Sequence, residues 1–490
     1  MLLISLYWLV TIMVCAGIDT QAFPRARRLI RSYCGLTINA AIATGIFGAV
    51  IVICGNPVLA VVVVVALQAL FIGVSNAKFV MLGEPLLFTD LALIGALFKH
   101  PQFYMSAIKP RQGLLAITAF IAVGGMLVWF SPSGWEKRIP GLAFAVLATA
   151  VLTVFQLGRI ANILAPVPAA LSDTSRLGLW PVMALYSVRW RSARDAIPCT
   201  TAPVRWRFGC PDLIFIVQCE SYADPCDLGL NQPEIPATSL PGLAAAKAAA
   251  IDHGKLLVSG FGAYTMRTEY GVLFGRDESA LGFRCYDPFL TAIRDKSYAM
   301  PHRIEGWTTH FVHPHDMNFY SRKRIMAAAG FTELSGEEMF STAQTKDERY
   351  VSDKAIADFL IERARTLSEP GLFYAVTIAN HGPWTSTDSC SNEKVYLDKL
   401  GRSDAMLIQL MAGIAGLKRP ALLVFFGDHR PSIPGIVKPG KDLHTPYVML
   451  RTDSNGRFID CIAPSVDRTP ADLHHQILAE MERRIALREA

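Results

Sequence analysis

Five uncharged apolar runs in the first third of the chain, Leu2 to Ile18, Leu36 to Cys54, Val58 to Val74, Leu114 to Phe130 and Leu142 to Leu157, leave few folds open to it. Lipid offers backbone N–H and C=O groups no partner, so runs of this length read as membrane-crossing helices that satisfy their own backbone. Hydrophobic residues make up 52% of the 490, and the excess is concentrated near the amino terminus. That is too apolar for an ordinary soluble protein. The first run lacks a basic leader and is followed by further spans, so it reads as a retained helix rather than a cleaved signal.

The charges flanking these spans pull against the rest of the chain. Arg25, Arg27, Arg28 and Arg31 crowd the first loop, and Lys99, Lys109 and Arg111 the third. The positive-inside rule puts both loops in the cytoplasm and, after an odd number of spans, the carboxyl-terminal half as well. A sixth crossing near Pro85 to Phe98 is the alternative count. Beyond the last span, Arg176, Arg189, Arg191, Arg194, Arg205 and Arg207 stand among Trp180, Tyr186, Trp190 and Trp206. That mixture fits a linker near lipid headgroups, or equally a plain polar connector. The division expected is a membrane domain over 1–160, an interfacial linker over 161–205 and a catalytic domain over 206–490.

The net charge of +6 is spread along the chain, with no basic run interleaved with aromatics, so no nucleic-acid footprint is present. No CxxC pair occurs, and the seven cysteines of the carboxyl-terminal half leave at least one unpaired or shared. A bridge such as Cys199 to Cys210 would require an oxidising compartment.

From about Arg205 the pattern alternates strands and helices, as an α/β domain does. Leu213 to Cys219, Lys255 to Ser259, Thr308 to His313, Leu372 to Ile378 and Leu422 to Phe426 are the strand candidates. Helices are expected around Leu243 to Ala250, Ser321 to Ala329, Ser352 to Thr366, Ser403 to Leu417 and Pro470 to Leu487. Two of the strands end in chemistry. Leu422 to Phe426 runs through Gly427 into Asp428-His429, and Leu213 to Cys219 runs into Glu220-Ser221. Open α/β sheets hold their sites at this carboxyl edge. Carboxylates with an imidazole suit zinc or manganese, whereas an all-oxygen set would point to calcium or magnesium. In the alternative reading, Asp428-His429 only caps a turn.

Between Ser259 and Gly275 two glycines precede Thr265, and Met266 to Phe274 has helical spacing. Thr265 should therefore stand at a helix amino terminus, where backbone N–H groups favour phosphate or another anion. A threonine hydroxyl needs a base or metal to become a nucleophile, and Glu220, Asp428 and His429 could hold that metal against it. As a plain N-cap it would do neither. Thr268 is a rival in the same segment. His310, His313 and His315 form a histidine cluster that reads as a polar loop or a second metal site.

Taken in order, the Glu-Ser strand end, the Thr265-x-x-x-Glu269-Tyr270 segment, the His313-x6-Tyr320-x-Arg322 segment, the Asn380-His381-x-Pro383 turn and the Gly427-Asp428-His429 edge resemble the lipoteichoic acid synthase type of sulfatase-fold enzyme. The resemblance covers about Asp212 to Leu450. It implies an α-helical membrane domain of about five spans followed by an α/β sulfatase-like, alkaline-phosphatase-type catalytic domain. It further implies Glu220, Thr265, Asp428 and His429 as the metal shell, Thr265 as nucleophile, and His313, Tyr320, Arg322 and His381 as substrate contacts. The register against Glu269 selects Thr265 over Thr268. One divalent ion is expected, manganese before zinc or magnesium.

The implied reaction moves a glycerol phosphate headgroup from phosphatidylglycerol to a glycan or glycolipid acceptor outside a bacterial cytoplasmic membrane, through a phosphothreonine. Phosphoethanolamine transfer, ester hydrolysis and a non-catalytic sensor are the competing readings. Tyr320 stands where the family commonly has tryptophan, Met266 and Arg267 replace smaller or acidic residues, and Arg430 follows the Gly-Asp-His edge. No Cys-x-Pro-x-Arg motif occurs, which disfavours a formylglycine sulfatase.

Overall fold

The computed structural model describes the chain except for residues 1, 27–29, 94–133 (apart from 118 and 125), 157, 194–197, 208, 231–239, 341–349, 385–390, 460–463 and 484–490. The span expected at Leu114 to Phe130, the basic residues of the third loop, and Arg27 and Arg28 lie outside the described residues. The chain divides into two compact units, Met1–Arg194 and Asp195–Ala490.

In the first unit, α1 (Leu2–Asp19), α2 (Tyr33–Cys54), α3 (Pro57–Leu82) and α4 (Ile139–Gln156) coincide with four of the five expected runs. Among the described residues, four helices are long and apolar enough to cross a membrane. Local chemistry sets their ends. Ser32 accepts a hydrogen bond from Gly35 N–H at the start of α2, and Asn56 caps α3 ahead of Pro57. α2 and α4 approach closely because both present glycine. A Cβ on Gly48 would lie 2.6 Å from the Gly141 carbonyl oxygen, and one on Gly141 would meet Gly48 as closely. Phe88–Leu93 is a short 3-10 helix, so the described part of the Pro85 to Phe98 stretch is not a crossing.

After α4 come α5 (Gly158–Leu164), α6 (Ala170–Leu177) and α7 (Leu179–Arg191). Trp180 and Tyr186 are buried in this unit, and the Tyr186 hydroxyl donates to Asp173 at 2.8 Å. Arg31 ties the α1–α2 turn to α6. Its guanidinium donates to the Asp19 carboxylate at 3.1 Å and to the carbonyls of Asp19, Ala22, Pro24, Thr174 and Ser175.

The second unit is built on a seven-stranded sheet. Its strands are β1 (Leu213–Cys219), β2 (Asp252–Leu257), β3 (Thr308–Val312), β4 (Glu333–Ser335), β5 (Gly371–Val376), β6 (Ala421–Gly427) and β7 (His444–Thr452), in the spatial order β2-β7-β6-β1-β5-β3-β4. The central strands β1, β5 and β6 are buried at every position, which is why they read as unbroken apolar runs. β1 is parallel to both β5 and β6, with Cys219 level with Gly427. β7 runs antiparallel between β6 and β2.

α8 (Pro241–Ala248), α10 (Arg322–Ala328), α11 (Asp353–Thr366), α12 (Asn392–Leu417) and α13 (Pro470–Glu482) lie close to their expected places, with α12 starting eleven residues before Ser403. Between α8 and α10 lies α9 (Thr265–Phe274). Leu360, Leu407 and Leu410 pack against Phe215 and Phe373 to make the core of one sheet face.

Candidate active site at the carboxyl edge of the sheet

Because β1 and β6 are parallel and in register, the residues that follow them, Glu220 and Asp428, leave the sheet side by side. Their ligand atoms and those of His429 lie within 4.8 Å of one another, all three residues being buried. Imidazole Nε2 of His429 stands 3.4 Å from Glu220 Oε1 and 3.4 Å from Asp428 Oδ2. Its Nδ1–H points at the Arg430 carbonyl at 3.2 Å, which leaves Nε2 as the atom facing the acids.

Two backbone N–H groups, from Ser221 and His429, fix Asp428 Oδ1 at 2.8 Å each. The Oδ2 atom is buried and receives no hydrogen bond among the described residues. Burial and the Glu220 charge push the Asp428 carboxyl up to about 6, while His429, the Ser221 N–H and the Thr265 hydroxyl pull it down. Two carboxylates crowded in low dielectric with one orphaned oxygen fit a divalent cation. Glu220, Asp428 and His429 would hold it, with Thr265 facing the same carboxylate.

α9 begins at Thr265 itself. Tyr264 precedes it in the left-handed region at φ 80° and makes no side-chain cap. Thr265 is thus the first helical residue rather than the cap, and its hydroxyl is not consumed by the helix backbone. Thr268, its rival, donates to the Asp428 carbonyl at 2.7 Å and is buried. Arg267 packs over the Tyr264 ring at 3.8 Å and donates to the Tyr286 carbonyl at 3.1 Å, bracing the turn before the helix.

Arg322 opens α10 and is buried, yet it reaches the same edge. Its Nε and Nη2 donate to the Glu269 carboxylate at 3.2 and 2.8 Å, and Nη1 donates to His313 Nε2 at 3.1 Å. His313 Nδ1–H donates to the Val376 carbonyl at 2.9 Å. Both ring nitrogens are therefore engaged inside the protein. Burial and the adjacent guanidinium push the His313 imidazole well below its ordinary range, so it is neutral. Tyr320 lies with its ring 5.2 Å from the Arg322 guanidinium carbon and holds a left-handed φ of 55°.

His381 sits in the turn that follows β5. Its Nδ1–H donates to the Gly382 carbonyl at 2.7 Å. Burial lowers it to about 4, with His429 and Lys399 acting the same way, so Nε2 carries no proton near neutrality. Of the histidine cluster, His310 pairs with Glu333 at 3.0 Å and stacks on Phe373, away from the two acids. His444 pairs with Asp227 at 2.9 Å.

Several supporting residues escape a motif search. Gln218, buried in β1, donates to the Thr265 carbonyl at 3.1 Å and accepts from the Tyr374 hydroxyl at 3.0 Å. The Thr377 hydroxyl accepts from the Glu220 N–H at 3.0 Å, and the Ser221 hydroxyl donates to Glu220 Oε1 at 2.8 Å. One available signal was the amide of Gln218 inside an otherwise apolar strand, since a buried polar group must be paired.

The crowded acid–imidazole edge of the α/β sheet thus faces a threonine at a helix start. Residues 212–481 match the Sulfatase family, and the protein belongs to that family. It is 28% identical over 461 residues to the capsular polysaccharide biosynthesis protein RkpI of Rhizobium meliloti, covering 88% of this chain and 84% of that protein. Among solved structures it is similar to the integral membrane lipooligosaccharide phosphoethanolamine transferase A of Neisseria meningitidis. That likeness has a TM-score of 0.55 at 12% identity and covers 96% of this chain and 95% of the other. The shared fold therefore includes the helical first unit as well as the sheet domain.

Proposed function

We propose that the protein transfers a glycerol phosphate headgroup from phosphatidylglycerol to an extracytoplasmic glycan through a phosphothreonine on Thr265. The observation that carries this is the Thr265 hydroxyl, at the start of α9, facing the Asp428 carboxylate beside Glu220 and His429. A cation held by those residues, manganese before zinc or magnesium, would lower the hydroxyl pKa and offset charge on the phosphoryl oxygens. The membrane unit suits a lipid donor. The name of the Rhizobium relative, a capsular polysaccharide biosynthesis protein, favours a glycan acceptor.

In the first step Thr265 Oγ bonds to phosphorus and the phosphorus–oxygen bond to diacylglycerol breaks, the threonine proton leaving on the diacylglycerol hydroxyl. In the second an acceptor oxygen bonds to phosphorus, Thr265 Oγ departs, and the acceptor proton returns to it. Arg322 carries five N–H donors, of which three are assigned to Glu269 and His313. One on each Nη remains for phosphoryl oxygens. The unprotonated Nε2 of His381 is suited to accept the acceptor's proton on its way to Thr265. His313 is a positioning residue, keeping Arg322 aimed.

Purified full-length protein incubated with phosphatidylglycerol and manganese should release diacylglycerol. A glycerol phosphate adduct should be found on the Thr265 peptide by mass spectrometry. Thr265→Ala should lose both products. Undiminished diacylglycerol release by that variant overturns the nucleophile, and an ethanolamine adduct from phosphatidylethanolamine in place of glycerol changes the donor.

A further inference from the structure

A cavity of about 730 Å³ opens beside the loop between β3 and α10, walled by His315, Asp316, Asn318 and Lys323 and, beyond β4, by Glu337 and Glu338. β3 and β4 are parallel to each other and β3 to β5, so this wall stands at the same carboxyl edge as Glu220 and Asp428. Two strand spacings separate β3 from β1, roughly 10 Å. The connection is direct on the inner side. His315 meets the His313 ring edge to face with centroids 6.0 Å apart, and His313 is the ring that receives Arg322.

We propose that this cavity is the acceptor subsite and takes a neutral sugar unit of the glycan. The proposal rests on the transfer reading above. The volume lies within the range of small-molecule sites. The lining is rich in hydrogen-bond acceptors, with three carboxylates and an amide oxygen against one ammonium and one imidazole. Sugar hydroxyls supply donors to such a lining, and the Lys323 ammonium and the second Nδ2–H of Asn318 face ring and hydroxyl oxygens. The carboxylate majority repels anions, so the lipid phosphate is steered to Arg322 and the acceptor to the cavity.

The loop is built before any ligand arrives. Asp316 Oδ1 accepts from both Asn318 N–H groups, backbone at 2.8 Å and side chain at 2.9 Å, and the Lys323 N–H donates to the Met317 carbonyl at 2.8 Å. A preformed loop loses little freedom when it binds. A chain seated here reaches the phosphoryl site with the next sugar, which makes the cavity a device for choosing the acceptor hydroxyl rather than the headgroup.

Saturation-transfer NMR on full-length protein in detergent, with a panel of neutral hexose oligosaccharides and with inorganic phosphate, tests this. The oligosaccharides should bind and phosphate should not displace them. Asn318→Trp fills the cavity from an exposed position and should weaken binding about tenfold, and Glu337→Gln about threefold, as losses of one packed sugar face and one hydrogen bond. In the transfer assay Asn318→Trp should raise the acceptor KM by a similar factor while the donor KM moves less than twofold. Binding that is unchanged in Asn318→Trp, binding by none of the oligosaccharides, or an unmoved acceptor KM overturns the subsite. Failure of the wild type to release diacylglycerol overturns the transfer reading instead, and the NMR arm still decides the cavity.

Discussion

Two arginines, one in each unit, are buried against a carboxylate, and they differ in what is left over. Arg31 has a side chain 1% exposed and Arg322 one 2% exposed. Around Arg31 the protein supplies six acceptors, the Asp19 carboxylate and five backbone carbonyls, so every N–H is used. Around Arg322 it supplies Glu269 and the His313 ring and stops, leaving two N–H groups with no assigned partner among the described residues. Burying a charge costs several kcal/mol, and only complete pairing returns it. A fully paired arginine is a clamp for chain segments. A buried arginine with donors to spare at a sheet edge is suited to receive something that is not protein.

This contrast predicts different phenotypes. Arg322→Met should lower kcat/KM for headgroup transfer by about 10³-fold per folded molecule, some 4 kcal/mol of transition-state stabilisation, in addition to the stability lost by stranding the buried Glu269 carboxylate. Arg322→Lys keeps the charge but not the fork and should recover only a small part. Single-turnover release of diacylglycerol measures both, and activity within tenfold of wild type in Arg322→Met would show the spare donors to be unused. Arg31→Met should cost stability alone. It strands Asp19 and the Thr174 and Ser175 carbonyls and should cost about 3 to 5 kcal/mol of stability. Thermal unfolding and recovered yield report that loss. Donor KM per folded molecule should hold near the wild-type value, and a large rise in it would mean that Arg31 serves the substrate after all.

The same pair shows what could be read from the sequence. Arg322 was reached through the family resemblance, which matches its spacing from His313 and Tyr320, and the structure brings it to the same sheet edge as His313. The strand ends at Glu220 and Asp428 were legible because unbroken apolar runs mark central parallel strands whose next residues must emerge together. Arg31 was read only as one of four loop charges bearing on orientation, and its role as a clamp was missed because nothing local to it announces Asp19 twelve residues back or the Thr174 carbonyl far along the chain.

β7 was not foreseen either. His444 to Thr452 carries Arg451 and a proline at 446, which weaken a strand reading, and Arg451 is accommodated because Glu480 of α13 and the Arg483 carbonyl accept from it. The engaged ring nitrogens of His313, like the amide of Gln218, depend on partners from other strands that spacing does not reveal.

Acid should separate the two units further. Of the eleven histidines, all but His100 belong to the second unit. His474 on α13 donates to the Val272 carbonyl of α9 at 2.8 Å, and burial lowers it to about 3. A histidine depressed in the folded state favours folding fully above its unfolded pKa near 6.5. That contribution is lost as pH falls toward about 3, because the unfolded chain takes up the proton first. Below pH 6.5 the catalytic unit should therefore lose up to about 1.4 kcal/mol per pH unit from this one ring. His474→Gln should flatten that slope in pH-dependent melting, and an equal slope in the variant would assign the acid sensitivity elsewhere. The first unit should melt with little dependence on pH over the same range.

The smallest effect is expected at Tyr320, where the family resemblance implies a tryptophan. The ring lies 5.2 Å from the Arg322 guanidinium carbon, and Phe319 and Phe289 support it at 4.3 and 6.3 Å between centroids. What Arg322 needs from this position is an aromatic face that limits its swing, a contact worth roughly 0.5 to 2 kcal/mol. Tyr320→Trp keeps the face and should leave donor KM within about threefold, because tryptophan presents the stronger π surface. Tyr320→Ala removes it and should raise donor KM about tenfold with kcat less affected, since Glu269 and His313 still hold the guanidinium. If instead Tyr320→Trp lost as much as Tyr320→Ala, the phenol hydroxyl would be the working group. The spare donors of Arg322 would then share their phosphate with a second residue.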